Sequence, residues 1–258
     1  MLPETVLSIL ELIGTVSFAV SGALVAIKAG MDLFGVVFIG WITAFGGGIL
    51  RDLLIGRTPP AAFLNPFMFL AACLAAIVVF IIAYVKRAHF DAFRGHLDYI
   101  NNFFDAIGLA TFAVMGTEVA FIYGFSDNVL LSVILGMLTC VGGGIFRDIL
   151  TDTTPYVFKK HVYALAAIAG SSLYYLLRVS VDVAVPSSLL SILLVVTIRM
   201  LATKYRWSLP KIRLEEDFSR PSNKEAPIEK NRRQKILKKA TEEAIKDKKI
   251  KRQKEVDN

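Results

Sequence analysis

The sequence predicts an all-α integral membrane protein with seven transmembrane helices, arranged as two inverted three-helix repeats followed by a seventh helix. Three observations predict this fold class: seven long apolar runs, a pair of motifs that occurs twice, and a surplus of charge confined to the C-terminal end. The 258 residues are 55% hydrophobic and 20% charged, and the mean hydropathy is +0.56. Because a soluble domain carries about a quarter of its residues as charges, this composition argues against a soluble enzyme.

The seven apolar runs each have the length of a membrane span. About 20 helical residues cross the roughly 30 Å of hydrocarbon in a bilayer, and lipid forces such runs to be helical because it offers no partners to exposed backbone groups. The predicted spans are 5–27, 33–50, 61–85, 103–123, 129–150, 161–179 and 185–203. Repeat one thus covers about 5–85, repeat two about 103–179, and the seventh helix about 185–203.

The repeat is visible as two aligned motif pairs. ELIGTVSFAVSG at 11–22 aligns with DAIGLATFAVMG at 105–116, and GGGILRDLLIGRTPP at 46–60 aligns with GGGIFRDILTDTTPY at 142–156. Each unit has three spans, an odd number, so the second unit enters the membrane from the opposite side. Inverted repeats of this kind place a shared pathway near the middle of the bilayer and are typical of transport proteins.

The charge distribution predicts both a domain boundary and an orientation. Residues 1–204 hold 12 Lys or Arg and 12 Asp or Glu, whereas residues 205–258 hold 17 and 10, so the net charge of +7 belongs to the tail. With the N-terminus outside, seven Lys or Arg fall in inner loops and three in outer loops, which favours N-out and C-in. We predict a transmembrane domain over 1–204 and a basic cytoplasmic tail over 205–258, partly helical or disordered, with no nucleic acid as partner.

Each repeat carries a glycine triplet near the end of its second span. Glycine in a helix costs about 1 kcal/mol relative to alanine, so three consecutive glycines indicate a structural or functional role. They either break spans 2 and 5, so that backbone atoms line a pathway, or allow two helices to pack closely. The glycines concerned are Gly46, Gly47 and Gly48 in the first repeat and Gly142, Gly143 and Gly144 in the second.

An Arg-Asp pair follows each triplet, Arg51–Asp52 in the first repeat and Arg147–Asp148 in the second. Successive helical residues point about 100° apart, so neither arginine needs to bond its neighbour, and pairs from opposite repeats are expected to meet. Two roles remain open for these residues. They are interfacial anchors at the membrane ends, or they gate or coordinate at the mouth of a pathway.

Spans 1 and 4 carry small hydroxyl residues, namely Ser17, Ser21, Thr111 and Thr117. Their oxygens are candidates to line a pathway for an ion, and the alternative is a packing seam between helices. Glu118, placed deep in span 4, is a functional candidate because a carboxylate inside a span is costly. Lys28 is a candidate counter-charge or lipid ligand, and its position near the end of span 1 favours the alternative of a snorkelling side chain.

Signatures of catalysis, ATP binding and metal binding are missing from the sequence. It has no GxxxxGK[ST] motif, no HExxH motif and no Ser-His-Asp spacing, and its cysteines, Cys73 and Cys140, are 67 residues apart. We therefore expect no enzyme activity and no cofactor.

At the two GGGI-x-RD-x-L segments, together with 11–22 and 105–116, the sequence resembles the bacterial branch of the trimeric intracellular cation channel family, also called glycine-transporter-like. The resemblance covers about residues 5–203. It implies a seven-helix homotrimer in the bacterial inner (plasma) membrane, with a pore in each protomer at the glycine triplets. It also implies permeation of K⁺ and contact with membrane lipids, and a bound lipid is a further expectation.

Two rival functions follow from the same features. A secondary transporter of glycine or a similarly small solute uses inverted repeats equally well. A membrane scaffold that recruits partners through its basic tail is the third reading. The tail itself either lies on the anionic inner leaflet or is solvated and only orients the protein.

Overall fold

The computed structural model describes residues 1–86, 94–159, 162–181, 183–205 and 207. The chain divides into two compact units, Met1–Leu209 and Pro210–Asn258. The second unit lies outside the described residues, and so does the prediction of a partly helical or disordered basic tail. The first unit holds all seven predicted spans.

Seven long helices build the first unit, and each is long and apolar enough to cross a membrane. They are α1 Glu4–Lys28, α2 Leu33–Leu54, α3 Pro66–Val85, α4 Arg94–Ile122, α5 Val129–Leu150, α6 Val162–Val181 and α7 Ala184–Lys204. A short 3₁₀ turn, Ala61–Phe63, precedes α3, and a one-turn helix, Tyr156–Lys159, precedes α6. The described residues contain no strand, and the predicted all-α fold with seven spans is confirmed.

Two helices begin at positions that differ from the prediction. α3 starts at Pro66 rather than near 61, because Asn65 caps it by accepting from the backbone N–H of Met68 at 3.3 Å, and proline is suited to a first helical position. α4 starts at Arg94, nine residues before the apolar run that predicted it. Hydropathy reports the part of a helix that fits lipid, so it misses the polar first two to three turns of this helix.

The helices place their ends at two levels of the molecule. Lys28 at the end of α1 pairs with Asp98 near the start of α4. Asp105 in α4 contacts Arg147 in the last turns of α5 and Arg199 near the end of α7. We call this level the tail end, because α7 finishes there, and the opposite level the N-terminal end. Since α1 finishes where its counterpart α4 begins, the two repeats are inverted, as predicted.

α1 and α4 cross at equivalent positions of the two repeats. A Cβ built on Gly14 would lie 3.0 Å from the ring of Phe112, and one built on Gly108 would overlap the ring of Phe18. The two rings are 5.3 Å apart between centroids and tilted by 40°. The glycines thus make room for one phenylalanine from each repeat, and the pair fills the middle of the α1–α4 contact.

α2 and α5 cross in the same reciprocal way, with backbone against backbone. A Cβ on Gly47 would overlap the carbonyl oxygen of Thr139, and a Cβ on Gly143 would overlap the carbonyl oxygen of Thr43. These four positions correspond between the repeats. Small residues permit such close approach of helices in a membrane, where dispersion contacts replace the hydrophobic effect as the force of association.

Both helices run unbroken through their triplets, over Leu33–Leu54 and Val129–Leu150. The expectation that the glycines break spans 2 and 5 is therefore wrong, and close packing accounts for the triplets. Gly142 adds to this contact, because a Cβ there would lie 2.9 Å from the Cα of Gly47. A Cβ on Gly46 would lie 2.8 Å from the ring of Phe146.

Candidate functional site

A network of buried charges occupies the tail end of the helical body. Asp105 of α4 lies between two arginines: its Oδ1 accepts from Arg147 Nη1 at 2.9 Å, and its Oδ2 accepts from Arg199 Nη2 at 3.3 Å. All three side chains are at most 3% exposed. Burial of unpaired charge costs several kcal/mol per ion, so these residues are held together by their opposite charges.

α1 reaches the same network through Ser21. Its hydroxyl accepts from Arg147 Nη1 at 2.9 Å and donates to Asn101 Oδ1 at 2.9 Å. Asp98, Asn101 and Asp105 follow each other at spacings of three and four, which places them on one face of α4. A line of polar contacts therefore runs along the α1–α4 interface from the Lys28–Asp98 pair inward; we call this line the polar seam.

Each of the two Arg-Asp dipeptides that follow the glycine triplets forms an ion pair within itself. Arg147 Nε donates to Asp148 Oδ1 at 2.8 Å, and Arg51 Nε donates to Asp52 Oδ1 at 2.9 Å. The acidic partners of each arginine come from its own repeat, so the expectation that pairs from opposite repeats meet is wrong. Adjacent residues can bond here because the arginine side chain is long enough to fold around the helix.

The second oxygen of each aspartate ties the following loop to its helix. Asp52 Oδ2 accepts from the backbone N–H of Ala61, and Asp148 Oδ2 accepts from that of Tyr156, both at 2.7 Å. These N–H groups open the 3₁₀ turn and the one-turn helix, so each carboxylate also caps a helical start. The Arg-Asp pair therefore fixes the end of its span in both repeats.

The N-terminal end holds the equivalent of the tail-end network in a more open form. Arg51 and Asp52 are buried there, but Glu11, which occupies the position of Asp105 in the first repeat, is half-buried. Glu11 interacts electrostatically with Arg51 and Arg57. The two ends thus share residue types while differing in how far water reaches them.

Glu118 sits in a second buried cluster at the N-terminal end. Its carboxylate accepts from the backbone N–H of Leu2 and from the hydroxyl of Tyr174, both at 2.7 Å, and lies 3.7 Å from Arg178 Nε. The residue is fully buried, but it lies four residues before the end of α4 at Ile122. The expectation that it lies deep in span 4 is wrong, because α4 ends soon after it.

The remaining hydroxyl candidates are all buried. Thr111 donates to the carbonyl oxygen of Ile107 at 2.5 Å, and Thr117 donates to that of Ala113 at 2.9 Å. Both bonds lie within α4 and use up the hydroxyl hydrogen, while the oxygens can still accept. Ser17 is 5% exposed and lies one turn from Ser21 on α1.

The third glycine of each triplet faces an arginine of its own helix. A Cβ on Gly48 would lie 3.6 Å from Arg51 Nη2, and one on Gly144 would lie 3.8 Å from Arg147 Nη2 and 3.2 Å from the Tyr163 hydroxyl. Both distances to the guanidinium groups are ordinary contact distances, so the ion pairs do not require glycine at these positions. The triplets therefore serve the helix crossing through their first two glycines.

The sequence profile of a family described as Glycine transporter matches residues 8–84 and 102–179 of this chain, one match for each repeat. The Escherichia coli inner membrane protein YadS is 32% identical over 212 residues, which cover 81% of this chain and 97% of that protein. This chain belongs to the Glycine transporter family. The resemblance carried by the doubled motif is thereby confirmed.

Solved structures that are similar to this chain share its fold. One is a structure that addresses conductance through TRIC cation channels. It is 37% identical to this chain with a TM-score of 0.67, and the match covers 80% of this chain and 97% of the other. Another, a TRIC trimeric intracellular cation channel orthologue from Rhodobacter sphaeroides, is 29% identical with a TM-score of 0.70 and covers 79% and 100%. The inverted-repeat architecture is therefore shared over nearly the whole helical body.

Several residues of the charge networks were not predicted from the sequence, although the two inverted three-helix repeats were. They are Asn101, Tyr163, Tyr174, Arg178 and Arg199. A buried arginine within an apolar span is a signal that marks Arg178 and Arg199, because both lie inside predicted spans and need an acidic partner. Arg199 lies in α7, outside the repeat, so an alignment of the two repeats does not mark it as a candidate.

Proposed function

We propose that this chain forms a K⁺-permeable cation channel in the bacterial inner membrane, as a homotrimer with a pore inside each protomer. Membership of the family and 29–37% identity to the solved cation channels support this proposal. The expected permeant species is a small monovalent cation, and membrane lipids surround the apolar surface.

The polar seam is the observation that carries the proposal. Polar and charged side chains are expensive inside a membrane and are retained where they serve a pathway or a proton or ion relay. Here they lie in line from Lys28 through Ser21 to Asp105. The seam ends at the Phe18–Phe112 pair, which divides it from the N-terminal end.

We assign the pathway to the α1–α4 contact, with the serine and threonine oxygens of these helices as its lining. The glycine triplets shape its constriction by fixing α2 against α5 rather than by breaking them. The Arg-Asp pairs, Arg51–Asp52 and Arg147–Asp148, then stand as the gating charges at the two ends. Cation passage requires the rings and the ion pairs along the seam to move apart.

The orientation proposed is N-terminus outside and C-terminus in the cytoplasm. Lys28 at the tail end and the basic residues after 204 support it, because positive charge is retained on the cytoplasmic side. A fluorescent protein that matures only in the cytoplasm, fused after residue 258, is expected to fluoresce. A dark fusion with an active periplasmic reporter at the same site contradicts this orientation.

Transport of glycine or a similar small solute is the second candidate. It is favoured by the description of the matching family and by the inverted repeat, which suits alternating access about a central site. In this case the two half-pathways open in turn, and the flux saturates with solute concentration. A channel instead conducts down the gradient of its ion.

A liposome assay with purified protein separates the two functions. K⁺, Na⁺ and labelled glycine are compared, with protein-free liposomes as the control. If the protein is a channel, K⁺ efflux builds up a membrane potential that stops further efflux. A proton carrier lets protons enter and dissipates this potential, so efflux is expected to resume when it is added. Counterflow of labelled glycine without K⁺ flux rejects the channel in favour of the transporter.

A further inference from the structure

The net charge of the chain lies in the last part of its tail. Residues 205–229 hold five Lys or Arg and five Asp or Glu, whereas residues 230–258 hold twelve and five. We call the first stretch, which also contains three prolines, the neutral linker, and the second stretch the basic segment. Apart from Tyr205 and Trp207, both stretches lie outside the described residues. The basic segment carries the whole surplus of +7.

The relatives share the helical body but leave about a fifth of this chain unmatched. The match with YadS covers 97% of that protein and 81% of this chain, and the match with a prokaryotic TRIC channel structure covers 100% of the other and 80% of this chain. The unmatched fifth equals residues 205–258 in size, and the family profile ends at residue 179. The basic segment is therefore an addition to the helical body that the family shares.

The described end of α7 places the start of the tail at the membrane interface. Tyr205 and Trp207 follow the helix, and both are exposed. The backbone N–H of Trp207 donates to the carbonyl oxygen of Ala202 at 3.0 Å, which holds this residue against the last turn. Lys204 Nζ lies 5.6 Å from the centre of the Tyr205 ring. Such amphipathic side chains are typical of the level of the lipid headgroups.

Other exposed tyrosines mark the same level of the molecule. Tyr84 near the end of α3 and Tyr99 in the first turns of α4 are exposed, and both lie at the tail end. With Tyr205 and Trp207 they make four of the five exposed tyrosines and tryptophans in the part of the chain that the structure describes. The fifth, Tyr123, follows α4 at the N-terminal end. The tail therefore leaves the helical body at an interface that is marked by aromatic residues.

The length of the neutral linker lets the basic segment reach this interface. A flexible chain of this length has a root-mean-square end-to-end distance of about 25–30 Å. A tether that short gives a local concentration in the millimolar range at the nearby surface. Each basic residue close to an anionic leaflet raises the binding constant by a factor of about five. Twelve basic residues against five acidic ones therefore favour an anionic surface over bulk solvent.

We propose that the basic segment, residues 230–258, binds the anionic lipid headgroups of the leaflet at the tail end, which is the cytoplasmic leaflet in the proposed orientation. Its lysines and arginines pair with lipid phosphates. Ile236, Leu237 and Ile245 lie among these charges in the sequence and supply apolar area for the headgroup region, as in other basic segments that bind an interface. The bound tail attaches each protomer to anionic lipid, whatever species the helical body transports.

The test measures energy transfer from a dye, attached enzymatically after Asn258 of the full-length protein, to acceptor-labelled lipid in nanodiscs. A nanodisc exposes both leaflets, so the orientation of the protein does not affect the measurement. We expect strong transfer in discs that contain phosphatidylglycerol and weaker transfer in discs of phosphatidylcholine alone, because only the first surface carries net negative charge. Concentrated KCl should remove the difference by screening. Equal transfer in the two kinds of disc at low salt overturns the proposal.

Two fourfold glutamine variants, which lower the net charge equally, locate the contact. The variant in the basic segment is expected to lose the phosphatidylglycerol-dependent transfer, since four lost charges lower the binding constant on the order of 10²–10³-fold. The matched control in the neutral linker should retain most of it. Equal losses in the two variants, or no loss in the first, contradict the proposal. The first variant replaces Lys248, Lys249, Lys251 and Arg252, and the control replaces Lys211, Arg213, Arg220 and Lys224.

A basic segment also attracts RNA through its phosphates, so single-stranded RNA serves as a competitor in the same assay. RNA is added at the phosphate concentration of the accessible lipid. We expect the transfer in phosphatidylglycerol discs to persist, because the linker holds the basic segment at the lipid surface while RNA is free in solution. Loss of the transfer under these conditions identifies RNA as the better ligand and overturns the proposal.

Discussion

At the scale of single residues, the helical unit is held together by buried carboxylates, each of which interacts with several hydrogen-bond donors. Asp105 binds two arginines, Asp148 binds one arginine and a backbone N–H, and Glu118 binds a tyrosine, a backbone N–H and a nearby arginine. Such groups stabilise the fold only as complete sets, because removal of one partner strands the opposite charge in a low-dielectric region.

Asp105→Ala is therefore expected to destabilise the protein by about 3–5 kcal/mol, the cost typical of a broken buried pair. Thermal unfolding in detergent, followed by circular dichroism, measures the change. Asp98→Ala provides the control. The side chain of Asp98 is 75% exposed in its pair with Lys28, and such surface pairs contribute about 1 kcal/mol or less. Equal losses in the two variants would show that the buried network does not hold the tail end.

The sequence predicted the repeated Arg-Asp dipeptides and missed several of the unrepeated members of these clusters. Arg51 and Arg147 stand out because the same dipeptide occurs twice after a glycine triplet. Arg199 and Asn101 have no such marker, and their contacts with Asp105 and Ser21 depend on how α7 and α4 approach the other helices. Side-chain partners across helices are set by packing, which a single sequence does not encode locally.

At the scale of the helix, glycine decides how closely the two repeats approach. Gly47 and Gly143 lie against the carbonyl groups of the opposite helix, whereas Gly48 has only ordinary contact distance around it. Neighbouring glycines of one triplet therefore have different tolerance for a methyl group. The sequence alone could not separate them, since the atoms that exclude a Cβ belong to another helix.

Gly47→Ala is expected to destabilise the α2–α5 crossing by about 1–3 kcal/mol, the usual cost of overpacking. Gly48→Ala places its methyl group 3.6 Å from Arg51 Nη2 and gains helix propensity of up to about 1 kcal/mol, so its stability should equal or exceed that of wild type. Unfolding temperatures of both variants in the same detergent make the comparison. A larger loss in Gly48→Ala would contradict the reciprocal crossing.

At the scale of the whole molecule, an inverted pair of repeats is made unequal by an added helix. Six helices give the two ends related sets of charges, and α7 adds Arg199 to one of them. Span number and repeat inversion followed from the sequence, because apolar length and the doubled motif are properties of the chain itself. The Asp105–Arg199 ion pair did not, since it arises from a contact of α7 with α4.

The proposed homotrimer predicts a complex of three times 28.4 kDa. Native mass spectrometry of the protein released from detergent measures this mass directly, and cross-linking in membranes before extraction provides an independent control. The apolar surface left exposed by the single chain, for example Phe34, Phe38 and Leu130, is available for lipid or for neighbouring protomers. A uniform mass of 28.4 kDa with no cross-linked species contradicts the trimer.

The most direct test of the account is the current through single molecules in a planar bilayer with unequal KCl on the two sides. A channel along the polar seam predicts discrete unitary steps whose reversal potential lies near that of K⁺. Saturable glycine movement by the same preparation, without unitary currents, would contradict the account.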